Sequence, residues 1–294
     1  MNPAHLTLAV VAALAAAGAV QKRGSRSVTD DQLEMLNSMA ASGDRSNLLQ
    51  AIELASQVGA PLTLDGLVFQ PKTSTRPLDR SFEREGKYVF VGEDISSLKE
   101  YSFSGFKLKN VFFFDCDLEG VDFSGANITG GSGGYHSSGG DLVRGGRFAG
   151  CNLKGANFDD ATLNRVEFKK VNASGSTFRN AYLSGCYLQS RFQGADFTGA
   201  KIHRGTMAGG VFVGADFQGA TLYRVNVVQT IFINADLRGV DLRDVSIHMT
   251  NRVRGMKYSP GLMPQTTDPS RHLGGMTPIR MLHAHLEHHG AKPS

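Results

Sequence analysis

The sequence predicts an all-β solenoid preceded by a helical N-terminal region and followed by a short C-terminal helix, on three observations. Large apolar residues recur every fifth position through the middle of the 294-residue chain. Gly supplies 35 residues and Trp none, so the backbone turns often and Phe, Leu and Ile must fill the interior. Apolar residues make up 41% of the chain, ample for a folded core.

Residues 1–28 are an apolar N-terminal segment. The run from Leu6 to Val20 is short for a membrane span of about 20 residues and suits a signal-peptide core, with Ala17-Gly18-Ala19 as an A-x-A cleavage pattern. No Lys or Arg precedes the run, however, and Lys22, Arg23 and Arg26 follow it, the reverse of the usual export order. A membrane-associating helix or a plain Ala-rich helix therefore stays open beside the signal peptide. Cytoplasmic and exported locations stay open with them.

Residues 29–100 read as a mostly helical region that caps the array. Leu33, Leu36, Leu48, Leu49, Ile52 and Leu54 recur at three- and four-residue spacings, with a Gly43-Asp44 break between two short helices and Thr29 or Asp30 as the first cap. Residues 61–77 read as loop, and residues 87–91 as a strand leading into the repeats.

The array itself spans residues 101–249. Stepping by five from Phe103 gives Leu108, Phe113, Leu118, Phe123 and Ile128, and the same phase resumes from Phe148 to Leu188. One four-residue step then shifts the frame, and Phe192 through Ile247 follow at intervals of five. Neither helix nor flat strand has that period. Two residues before each centre stands a small or β-branched side chain, such as Cys116, Val121, Ala126, Cys151 or Ala195. Each unit thus sends one large and one small group inward. Asp or Asn often precedes the centre and Gly often follows it by two, as at Asp196 and Gly199, both suited to tight turns.

The units Cys-Asn-Leu-Lys-Gly at 151–155, Ala-Asp-Phe-Thr-Gly at 195–199 and Ala-Asp-Leu-Arg-Gly at 235–239 resemble the A(D/N)LxG consensus of the pentapeptide repeat family. That resemblance implies a right-handed quadrilateral β-helix with four units per coil, so that residues twenty apart stack. Phe192, Phe212 and Phe232 then form an interior column, as do Phe197 and Phe217. All three cysteines fall on the small inward site as free thiols. Their spacing of seven units puts consecutive ones on different faces.

Two irregularities interrupt the array. Residues 129–147 are Gly-rich and lack two apolar centres; they form either a coil with its interior thinned to Gly133, Ser138 and Val143, or a loop bulging from one face, which is preferred. Tyr135, His136, Asp141, Arg144 and Arg147 are its candidate partner-contacting side chains. The missing residue near Gln189-Ser190-Arg191 predicts a bulge or a kink.

After Ile247 the repeat stops, leaving a basic tail at 250–294. Thr277-Pro278 opens a short helix through His289, ended by Gly290, whose Met281, Leu282 and Leu286 can cover the open end of the stack. His283, His285, His288 and His289 crowd this helix without an acidic partner set, and read as a surface rather than a metal site.

Net charge is −2 over residues 1–100, +2 over 101–250 and +4 over 251–294. Nucleic acid is not expected as a partner at that density. Tyr135, His136, Ser137 and Asp141 lack the rigid support a nucleophile and base require, and no G-x-x-x-x-G-K-[ST] phosphate loop is present, so no catalytic residue, cofactor or metal is expected. The resulting expectation is a noncatalytic protein-interaction scaffold with an unknown protein partner, monomer and end-to-end dimer both open. A second reading is a secreted or host-translocated bacterial effector, since some family members carry an array beside a separate N-terminal region. The resemblance also implies a third, duplex-DNA mimicry toward DNA gyrase. A near-neutral array disfavours it, because the duplex carries about one negative charge per 1.7 Å.

Overall fold

The computed structural model describes residues 28–42, 44–71, 74, 89–91, 98–99, 101–130, 135–136, 142–143, 146–245, 251–259 and 290–293. Two helices come first, α1 (Asp30–Ala40) and α2 (Arg45–Val58). A reciprocal box starts α1: Gln32 N donates to Thr29 Oγ1 at 3.3 Å, and Thr29 N to Gln32 Oε1 at 3.0 Å. The Asp44 carboxylate caps α2, which ends at Gly59 with φ 67°. Their buried Leu36, Met39, Leu48, Ala51, Ile52 and Ala55 are continuous with the core of the coils. Thr63 N and Ser102 N also donate to Asn37 Oδ1 and Ser56 Oγ, at 2.9 and 2.6 Å.

The coils are a parallel, four-sided stack. Its first face has Phe103, Phe123, Phe158, Phe178, Phe197, Phe217, Leu237 and Tyr258 as centres. The second stacks Leu64, Leu108, Ile128, Leu163, Leu183, Ile202, Leu222 and Leu242 in one eight-stranded parallel sheet. The third carries Phe69, Phe113, Phe148, Phe168, Leu188, Met207 and Val227. The fourth carries Leu98, Leu118, Leu153, Ala173, Phe192, Phe212, Phe232 and Val253. The stack is the right-handed β-helix expected from the repeat.

Phenylalanine rings run along the interior. On the first face, neighbouring centroids from Phe123 to Phe217 lie 4.7–4.8 Å apart with near-parallel planes. Rings of the third face meet them edge-on, as Phe148 meets Phe158 at 5.8 Å and 86°. At the frame shift the aromatic column changes face. The third face goes from Phe168 to Leu188 and Met207, while the fourth goes from Ala173 to Phe192, Phe212 and Phe232. Phe is exchanged for a smaller residue on one side as it is gained on the other, so the cross-section stays filled.

The corners follow from local chemistry. Asp196, Asp216 and Asn226 each accept, through Oδ1, the N–H two residues on, at 2.9, 2.8 and 3.0 Å. The position two after a centre is left-handed whether or not it is Gly: Gly199 has φ 67°, and Asn180, Asn234 and Asp244 have 56°, 57° and 53°.

The Gly-rich segment is an excursion, because Ile128 pairs with Leu163 and Phe113 with Phe148, each thirty-five residues on. A coil uses twenty, as in Leu163 to Leu183, so fifteen residues lie outside the stack. This overturns one cysteine expectation. Asp117 bridges Asn152, which stacks Cys116 and Cys151 in one column, since the excursion consumes three of the seven units between them. Cys186 does stand on another face, before Leu188. The one-residue deletion is absorbed as a bulge: Lys169 pairs with Gln189 and Asn172 with Arg191, leaving Lys170 and Val171 opposite Ser190. The buried Ser190 hydroxyl replaces missing ladder bonds, accepting from Val171 N at 3.1 Å and donating to Phe168 O at 2.8 Å.

The stack is also longer than the 101–249 span. Thr63–Asp65 and Leu67–Phe69, expected as loop, supply two sides of its first coil, and Val89–Val91 pairs with the latter. Beyond Ile247, Arg252 and Lys257–Tyr258 continue it, and Lys292–Pro293 pairs with that last strand. Those sides escaped the period count because each is divided from the array by a chain excursion or an extra residue. The apolar run from Leu6 to Val20 and the helix expected at 277–289 lie outside the described residues.

Truncating a stacked ring, Phe178→Ala, is expected to destabilise by about 3–5 kcal/mol in denaturant titration. Ser190→Ala strands Val171 N and should lower stability by about 1–3 kcal/mol despite removing a single oxygen. A Ser190→Ala loss no larger than that of a half-buried Ser174→Ala control would refute the patching role.

Candidate functional site

Two features distinguish this stack from a plain ladder: the Gly-rich excursion and the separation of charge between its faces. Within the excursion, Tyr135–His136 pairs antiparallel with Leu142–Val143, while Asp141 and Arg144 lie outside the described residues. Arg147 is placed otherwise than expected. It stands in the strand Arg147–Ala149 on the third face, only 6% exposed, and its Nε and guanidinium nitrogen contact Glu167 Oε2 at 2.6 and 2.5 Å. The excursion has ended by Gly146, so this guanidinium joins two coils and is not presented to a partner. Beside it, Val68, Phe112, Phe114 and Ala149 occupy outward positions of the third face and are nonetheless buried. They form an apolar layer outside the stack that the one-large, one-small pattern did not predict.

The cysteines offer no accessible nucleophile. Cys116, Cys151 and Cys186 are buried and free, their thiols donating to the carbonyls of Phe69, Phe113 and Leu163 at 3.3, 3.2 and 3.3 Å. Contact with Cys151 and burial push the Cys116 thiol well above its ordinary range, and burial pushes Cys186 up to about 12. Among the described residues, no group of three or more His, Cys, Asp and Glu is placed to hold a metal ion, and no helix is long and apolar enough to cross a membrane. The His283–His289 cluster lies outside the described residues.

The first face carries a ladder of carboxylates, Asp196, Asp216 and Asp236, in adjacent coils. They are largely engaged at home. Asp236 is held below the usual carboxylate range by the Arg238 guanidinium at 2.6 Å and the Arg238 N–H. At Asp196 burial opposes ionisation, but hydrogen bonds from Thr198 and the Arg179 guanidinium at 2.6 Å outweigh it.

The neighbouring second face is cationic. Arg165, Lys201, Arg204, Arg224 and Arg243 are all exposed there, against Asp241 and Asp244. Between them stand Tyr182, 39% exposed, His203 and Tyr223, with Tyr182 to His203 centroids 5.3 Å and His203 to Tyr223 5.8 Å apart, both edge-to-face. The Arg224 and Arg243 guanidiniums lie 5.0 and 6.0 Å from the Tyr223 centroid. The sequence reading missed this surface because charge was summed over the whole array, where both signs nearly cancel. Reading only the outward positions of one face, twenty residues apart, would have revealed it.

This fold and these faces define a class: a solenoid whose interior is packed with its own side chains. The family model for pentapeptide repeats matches residues 96–131, 147–185 and 211–248 in eight copies. Over those stretches the chain carries pentapeptide repeats. No curated protein matches its sequence. Among solved structures, full-length QnrB1, a plasmid-mediated fluoroquinolone resistance protein, is 18% identical, with 67% of this chain and 93% of that chain covered and a TM-score of 0.23. HetL, a pentapeptide repeat protein involved in heterocyst differentiation regulation from Nostoc sp. strain PCC 7120, is 17% identical over 51% of this chain and 88% of its own, with a TM-score of 0.16. Rfr23 from Cyanothece 51142 is 20% identical over 50% and 86%, with a TM-score of 0.22. Superpositions scoring this low decide nothing; the assignment rests on the repeat match and the coil registers.

Removing the guanidinium in Arg147→Ala leaves Glu167 unpartnered in a half-buried position and should destabilise by about 3 kcal/mol, read by thermal unfolding. Thiolate is scarce below a pKa of about 12, so Cys186 in native protein should resist alkylation at pH 8.5 and react on addition of guanidinium chloride. Rapid labelling of the native state would contradict this burial.

Proposed function

We propose that this protein is a noncatalytic protein-interaction scaffold that works through the outer faces of its coils. The observation carrying the proposal is the filled interior: the large centres from Phe103 to Phe217 are at most 1% exposed, so among the described residues the inside of the coils is taken up by their own side chains. Flat parallel faces edged by short side chains suit an extended contact with another macromolecule. The strand pair of Tyr135–His136 with Leu142–Val143 lies between two coils and offers a second candidate contact.

The first face gives little support to duplex mimicry, since Asp196 and Asp236 already hold Arg179 and Arg238. Such mimicry needs a continuous field of negative charge. Excess protein is expected to leave DNA gyrase supercoiling unchanged, and concentration-dependent inhibition would reverse that exclusion.

The scaffold reading is tested by affinity capture from the native cell with full-length protein beside a variant in which residues 131–145 are replaced by a short Gly-Ser connection. Recovery of the same saturable protein partner by full-length protein in repeated captures is expected. Loss of that partner in the variant would assign recognition to the excursion, and its retention would assign it to the coil faces. Absence of any saturable partner would overturn the scaffold.

A further inference from the structure

We propose that the cationic second face, from Asn164 to Arg243, is a docking surface for an extended acidic polypeptide segment. The proposal rests on the scaffold reading and names its partner chemistry. Four successive coils, centred on Leu163, Leu183, Ile202 and Leu222, present their outward side chains on one flat parallel sheet at a rise of about 4.8 Å. Arg165, Lys201 and Arg204 are exposed on it with no carboxylate in ion-pair contact among the described residues. Arg224 and Arg243, at its end, each reach one acid, Asp244 at 3.4 Å and Asp241 at 2.7 Å.

The backbone singles out the same column. Arg165, Arg204 and Arg224 sit at the left-handed corner with φ 56°, 53° and 55°, a position taken at other corners mostly by Gly, Asn or Asp. A long side chain there is disfavoured by about 1 kcal/mol, so three arginines in one column oppose the local turn chemistry. A strained residue justifies a functional hypothesis when its side chain has a use that the turn itself does not supply. Here all three side chains are exposed at one corner of the coils.

The aromatic groups favour carboxylates over nucleic acid. Single strands bind where ring faces are free to stack on bases. Tyr182, His203 and Tyr223 instead meet edge-to-face, and two guanidiniums lie against Tyr223. Tyr223 is thus used to brace two of the cations, Arg224 and Arg243. His203 is held below its ordinary range by burial and by Arg243, Lys201 and Arg204, so it sits neutral among them at neutral pH. Planar guanidiniums fixed in this way match carboxylates in forked geometry. A second copy of this chain fits less well, because the carboxylate ladder of its first face already pairs Asp196 with Arg179 and Asp236 with Arg238.

The test is fluorescence anisotropy of a labelled ten-residue glutamate-rich peptide titrated with the full-length protein at moderate salt. It is compared with the triple variant Arg165→Gly, Arg204→Gly, Arg224→Gly and with a control, Lys154→Ser and Arg254→Ser, which removes charge from the opposite fourth face. Glycine relieves the left-handed corners, so the triple variant is expected to fold with little change in melting temperature. The expected result is saturable binding weakened about tenfold or more in the triple variant and less than about twofold in the control. Equal weakening in both variants, or no binding, would overturn the proposal. So would tighter binding of a single-stranded oligonucleotide of equal charge, or self-association by sedimentation that disappears in the triple variant. A native partner captured equally by wild type and triple variant would defeat this surface while leaving the scaffold intact. Peptide binding with no cellular partner would do the reverse.

Discussion

The parallel backbone ladder is the constraint on which everything else in this protein depends. Each coil donates to and accepts from the next through bonds such as Phe178 N to Asp196 O at 2.7 Å, and that rise is the same on all four sides. A constant rise with four short sides fixes the enclosed cross-section. Side chains inside must therefore total nearly the same volume in every coil, and must be apolar or, like Ser176 and Thr230, donate their hydroxyl to a backbone carbonyl. The exchange of Phe between the third and fourth faces at the bulge follows from that requirement. So does Gly210, which fills a small inward site where an added Cβ would lie 2.6 Å from Leu188 O.

The ladder also explains how the chain tolerates its irregularities. An excursion of three whole units returns the backbone to the stack in phase, because fifteen residues change neither the register nor the side of the next coil that is rebuilt. A single-residue deletion is harder to absorb, since it shortens one side and leaves backbone groups without partners. Ser190 meets that demand with a hydroxyl that both donates and accepts. Long excursions are thus compatible with a rigid core, whereas a one-residue change requires a specific side chain.

A filled interior moves all specificity to the outside. Outward positions are free of the volume constraint and can carry either sign of charge, which is why a carboxylate ladder and an arginine column occupy adjacent faces of one rod. On the first face most of that charge is neutralised locally by Arg179 and Arg238; on the second, Tyr223 braces Arg224 and Arg243 while Arg165, Lys201 and Arg204 are exposed.

By itself the sequence determined the repeat, the two inward side chains per unit, the turn residues at the corners, the capped helices and the aromatic columns. Each of these is set by contacts within five residues or by a strict period, which composition can encode directly. Only the tertiary structure decided that Cys116 stacks on Cys151, that Arg147 is a buried link to Glu167, and that residues 63–69 and 251–258 belong to the coils. These depend on where the chain leaves and re-enters the stack, and a period counted along the sequence carries no record of which side a returning strand will join. The cationic face belongs to the same class, because its residues become neighbours only once twenty positions of chain have closed into a coil.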